Sequence, residues 1–66
     1  MSQGTVIFFN NQTGFGIIAE DKGFKVFVHR SALQTEGFKT LQEGQRVWFD
    51  IQETPKEPLA INVKSI

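Results

Sequence analysis

The chain has 66 residues, with seven Lys/Arg balanced by seven Asp/Glu, seven Phe and no cysteine. That length predicts a single domain over residues 1–66, without room for a second core or a buried catalytic cleft. The absence of cysteine excludes disulfides and thiolate metal sites, and zero net charge argues against a nucleic-acid binder driven by charge alone.

Met1-Ser2-Gln3-Gly4 has no basic start followed by an apolar run, and no apolar stretch is long enough to span a bilayer. A cytoplasmic protein without membrane contact is therefore expected. Asn11-Gln12-Thr13 matches a glycosylation acceptor by chance. Five short strands separated by turn signals follow, the pattern of an all-β barrel. The first is predicted over residues 4–10 and stops at the Asn10-Asn11-Gln12-Thr13-Gly14 cluster. Its run Val6-Ile7-Phe8-Phe9 breaks alternation, and a bulge reconciles it, with Val6 and Phe9 inward and Ile7 and Phe8 outward. The second, 15–20, ends at Asp21-Lys22-Gly23, where glycine is placed for positive φ. The third covers 25–29, and Ser31-Ala32-Leu33 is read as a 3₁₀ turn capped by Ser31. Residues 34–44 are irregular and carry Phe38. The fourth strand, 45–52, points Val47, Phe49 and Ile51 inward, and Pro55 and Pro58 bracket a loop holding Lys56. The fifth strand, 59–66, closes the sheet.

Strand periodicity separates the side chains of the second and third strands into two sets. Ile18, Val26 and Val28 form an aliphatic inner face, while Phe15, Ile17, Phe27 and His29 share the other. Leaving an aromatic ring in water forgoes roughly 1.5–3 kcal/mol of burial. Paired, these strands would display a flat aromatic platform, which suits base stacking by a single-stranded nucleic acid.

The residues Gly4-Thr5-Val6, Phe9-Asn10, Gly14-Phe15-Gly16, Val26-Phe27-Val28-His29, Ser31-Ala32, Gly37-Phe38-Lys39-Thr40-Leu41, Glu43-Gly44-Gln45 and Asn62-Val63 resemble the bacterial cold-shock proteins in order and spacing. The resemblance runs from Gly4 to Ile66. It implies an all-β fold, a five-stranded antiparallel Greek-key barrel of the OB-fold type. It also implies binding of single-stranded RNA and DNA with loose specificity favouring pyrimidines, and opening of weak RNA secondary structure without ATP. Phe15, Phe27, His29 and Phe38 match the family's stacking groups, and Asn10 and Lys39 its polar contacts. Lys56 falls where a basic residue often lies near nucleic acid. Phe8 stands where the family has tryptophan and offers a smaller ring without an indole N–H.

Four positions lose a charge or a ring that the family pattern has. Ile7 and Thr13 replace lysines, Ile17 replaces a phenylalanine, and Arg30 replaces an aromatic. Arg30 compensates in part, because a guanidinium both stacks on bases and meets phosphate. Lys25 adds charge where an acid is common. Trp48 lies outward on the fourth strand and, with Pro55 or Leu59, reads as an apolar cluster or a weak dimer surface on a mostly monomeric protein. Glu20-Asp21 and Glu53 read as solvated strand ends. One histidine without cysteine makes neither a zinc site nor a nucleophile–base pair, so no enzyme, metal or cofactor is expected. The rival reading is a protein-interaction barrel that keeps the fold with weakened nucleic-acid binding.

Overall fold

The computed structural model describes residues 1–33 and 41–66. Its strands are β1 (Ser2–Phe9), β2 (Phe15–Glu20), β3 (Lys25–His29), β4 (Arg46–Gln52) and β5 (Leu59–Ser65), with a 3₁₀ turn, Arg30–Ala32, after β3. They close into a barrel in the order β1-β2-β3-β5-β4. Four seams are antiparallel. The β3–β5 seam is parallel and pairs Phe27 with Leu59. Strands two and three match their predicted limits, whereas β1 begins two residues earlier than expected and ends at Phe9.

The alternation read from the sequence sorts the core. Val6, Ile18, Val26, Val28, Val47, Phe49, Ala60 and Val63 are buried inward, and Leu41 joins them. Each of these side chains except that of Ala60 contributes roughly 1.5–3 kcal/mol on leaving water. Ile51 packs against this cluster without being fully enclosed. The register of β1 on β2 shifts between Val6 and Phe8. This is the expected bulge: Ile7 and Phe8 are exposed, and Phe9 packs against the core.

Gly16 makes room for that inward Phe9. A Cβ on Gly16 would lie 2.6 Å from Phe9 Cδ1 and 2.5 Å from the Phe8 carbonyl oxygen. Gly14, at φ +81°, takes a left-handed conformation that closes the β1–β2 loop. Its N–H donates to the Asn10 carbonyl at 2.7 Å, and the Asn10 N–H donates to the Phe15 carbonyl at 2.8 Å.

Two strand-end carboxylates differ from the expectation of simple solvation. Glu20 is buried, and its Oε1 accepts the Lys22 N–H, so it staples the β2–β3 turn from inside. Asp21 is exposed but paired: Arg46 on β4 donates to both its oxygens, at 2.6 and 2.8 Å, and also to Thr5 Oγ1 and Gln3 Oε1. Among the described residues no helix is long and apolar enough to cross a membrane.

Candidate functional site

The pairing registers stack the outward residues of three strands into rows. Phe8 lies opposite Ile17, and Ile17 opposite Phe27. Partners across a seam share a face, so Phe8, Ile17 and Phe27 form one apolar row, and Leu59 on β5 continues it beyond Phe27. One step along the strands, Phe15 lies opposite His29. In the other direction Thr5, Ala19 and Lys25 make a third row. Strands about 4.7–4.9 Å apart, with two-residue steps near 6.5 Å, place these rings within reach of successive bases.

Phe8 is 47% exposed, Phe15 56% and Phe27 37%, so these rings are not tucked into the barrel. Ile17 is half-buried between its two Phe neighbours. The face is not flat, however. The Phe15 and His29 ring centroids are 4.6 Å apart with planes inclined at 59°. One base cannot lie flat on both, so the pair offers one stacking plane and one edge. The tilt follows from the role of His29 in the backbone. Its Nδ1 accepts the Ser31 N–H at 3.1 Å and lies 2.9 Å from Ser31 Oγ. His29, not Ser31, therefore caps the 3₁₀ turn. A backbone N–H can only donate, so Nδ1 carries a lone pair and the neutral ring holds its proton on Nε2.

Asn10 also has a local duty. Its Oδ1 accepts the N–H groups of Gln12 at 2.8 Å and Thr13 at 3.2 Å. The carboxamide oxygen thus shapes the loop, which leaves the amide NH₂ as the group suited to a ligand. Thr13 Oγ1 accepts the Phe15 N–H at 3.3 Å. Arg30 is exposed beside Gly14. Lys56 is exposed in a turn held by Thr54 Oγ1, which accepts the Glu57 N–H at 3.0 Å. That loop reaches the aromatic rows through Pro58, whose carbonyl accepts the Phe27 N–H at 3.1 Å. Phe38 and Lys39 lie outside the described residues.

The rows hold Lys25, with Arg30 beside them, and no carboxylate. Asp21 pairs with Arg46, which also bonds Thr5 at the end of the third row; Asp50 receives the Asn62 amide and the N-terminal ammonium, Glu20 is buried, and Glu43, Glu53 and Glu57 are exposed outside the rows. Lys25 and Leu59 were missed as members of this face. The alternation Lys25, Phe27, His29 carries the signal for the first; the β3–β5 seam that delivers Leu59 has no local signature.

Residues 2–66 match the family model of the 'Cold-shock' DNA-binding domain. The chain belongs to the cold-shock domain family. It is 52% identical over 66 residues to the Major cold shock protein of Streptococcus pyogenes, covering 100% of this chain and 98% of that protein. It is 50% identical over 64 residues to Cold shock protein CspC of Bacillus subtilis, covering 97% of each. Among solved structures, drosophila Unr CSD456 superposes with a TM-score of 0.80 at 20% identity, covering 98% of this chain and 26% of that one. The barrel is therefore the cold-shock, OB-type fold, and the family is a nucleic-acid-binding one.

Trp48 departs from its expected surroundings. It lies opposite Gln3 and Lys64 and lines a cleft of about 300 Å³ with Met1, Ser2, Gln3, Glu20, Asp21 and Lys22. Leu59 pairs with Gln52 instead, four residues along β4. Trp48 therefore sits with the chain's start, and not level with Leu59.

Proposed function

We propose that this cold-shock domain protein binds single-stranded RNA and DNA by stacking unpaired bases on the Phe8, Phe15, Phe27 and His29 rings. Phe38 would contribute from its loop. Ile17 floors the central row, and Asn10, Arg30, Lys39 and Lys56 supply polar and charged contacts. The observation that carries the reading is the uninterrupted row Phe8–Ile17–Phe27, whose outer rings are exposed and whose rows include no carboxylate among the described residues. Stacking contributes about 1–3 kcal/mol per base and is tolerant of sequence, so specificity is loose. Paired bases cannot reach the rings. Binding therefore draws weak hairpins toward their open form by differential affinity alone, the action of an ATP-independent RNA chaperone and not of an enzyme. The working form is a cytoplasmic monomer.

The test is a heptathymidine titration followed by NMR and by anisotropy of a labelled oligonucleotide. Shifts confined to β1–β3 and the two flanking loops are expected. Phe15→Ala and Phe27→Ala should each weaken binding about fivefold or more with the barrel still folded. Unchanged affinity in both variants rejects the stacking surface. Shifts at Trp48 that depend on protein concentration alone point to the protein-interaction barrel instead.

A further inference from the structure

Arg30 follows His29 directly, and its side chain lies back along the β1–β2 loop. A Cβ on Gly14 would sit 3.0 Å from both Cγ and Cδ of Arg30 and 3.1 Å from its Nε. The Arg30 N–H donates to the Gly14 carbonyl at 2.7 Å. The stem thus fills the space left by the missing Gly14 side chain. Gly14 directly precedes Phe15, so Cγ, Cδ and Nε of Arg30 lie beside the loop that leads into that end of β2. Arg46, by contrast, is committed to Asp21, Thr5 and Gln3, whereas Arg30 makes no ion pair among the described residues.

This end of the face presents a ring to stack on and donors only. Ser31 occupies His29 Nδ1, so the other ring nitrogen, Nε2–H, is a donor. A guanidinium has N–H donors in a planar fork and no acceptor. A base edge with two neighbouring acceptors fits that fork, and guanine offers one in O6 and N7. Adenine sets an amino group beside N7, and unpaired thymine separates its two acceptors with an N–H; unpaired cytosine does offer O2 beside N3, but its single ring covers less of Phe15 than a purine does. We propose that Phe15, His29 and Arg30 form a guanine subsite, the base stacking on Phe15 while Arg30 forks its O6 and N7. The proposal rests on reading the outer face as a single-strand binding surface. A guanidinium that met only phosphate would raise the affinity of every sequence alike.

The test walks one deoxyguanosine through each position of heptathymidine and measures affinity by anisotropy of a 5′-labelled strand. One position should bind about fivefold or more tighter than heptathymidine. Replacing that base with 7-deazaguanine, which lacks the N7 acceptor and leaves the protein untouched, should remove most of the gain. Arg30→Lys should bring the guanine-to-thymine affinity ratio close to one, whatever happens to absolute affinity. A flat walk with heptathymidine still bound overturns the guanine subsite alone, as does a gain that survives 7-deazaguanine or Arg30→Lys. Failure to bind heptathymidine or any walked strand overturns the stacking surface as well.

Discussion

Gly16 and Phe9 share one volume. The Phe9 ring occupies the place where a side chain on Gly16 would begin, with Cδ1 2.6 Å from that point. This fit draws Phe9 inward at the bulge while Ile7 and Phe8 stay on the outer face.

Gly16→Ala should therefore destabilise the barrel by about 1–3 kcal/mol, the usual cost of overpacking. The Phe8 carbonyl at 2.5 Å is backbone and cannot rotate away. Urea unfolding at equilibrium measures the loss. A variant as stable as the parent would show that the bulge does not depend on this contact.

The outer face carries few cations, so the salt dependence of oligonucleotide binding should be shallow, with a log–log slope on the order of −2. Ile7→Lys combined with Thr13→Lys should tighten binding and steepen the slope by about 1.4, since each single-strand phosphate contact adds about 0.7. Both positions are exposed and outside the core, so the barrel should stay folded, although Thr13→Lys gives up the bond from the Phe15 N–H to Thr13 Oγ1. Titrations at three salt concentrations decide it, and an unchanged slope contradicts the charge argument.

Trp48 should report poorly on that binding. It is level with Gln3, five residues before Phe8, on the order of 16 Å along β1 from the aromatic row. Saturating heptathymidine should leave the Trp48 emission nearly unaltered while the labelled strand shows binding. Strong quenching would place the ligand elsewhere on the barrel.

The Arg46 hydrogen bonds, and less so its charge, hold the Asp21 carboxyl below its ordinary value of 3.8. A carboxylate with a depressed folded-state pKa stabilises fully above its unfolded pKa, and that contribution fades as pH falls through the folded value. Asp21→Asn should thus be less stable than the parent near neutral pH, by an amount that shrinks in high salt because the pair is exposed. The gap should close as the pH falls below the ordinary carboxylate range. Thermal unfolding of both proteins from pH 7 to pH 2 checks it; a gap independent of pH would assign the effect to something other than the ion pair.

The imidazole of His29 should hold its proton on Nε2, because Nδ1 accepts the Ser31 N–H. Nitrogen-15 shifts of the neutral ring, read from long-range correlations, distinguish the tautomers. A proton found on Nδ1 would remove both the cap of the 3₁₀ turn and the donor proposed for the guanine subsite.

The strands, the core and the outward rings were legible in the residues because side-chain direction in a strand is local. Alternation sent Ile18, Val26 and Val28 inward and Phe15, Phe27 and His29 outward, and four apolar residues in a row at Val6 to Phe9 required a bulge. Only tertiary structure decided what each outward group meets. The parallel β3–β5 seam added Leu59 to the row; Arg46 claimed Asp21 over the intervening strand β1; Glu20 became buried. His29 capped a turn and tilted against Phe15, and Arg30 settled on Gly14. Those outcomes depend on contacts between distant strands and on the space a missing Cβ leaves, neither of which a two-residue period encodes.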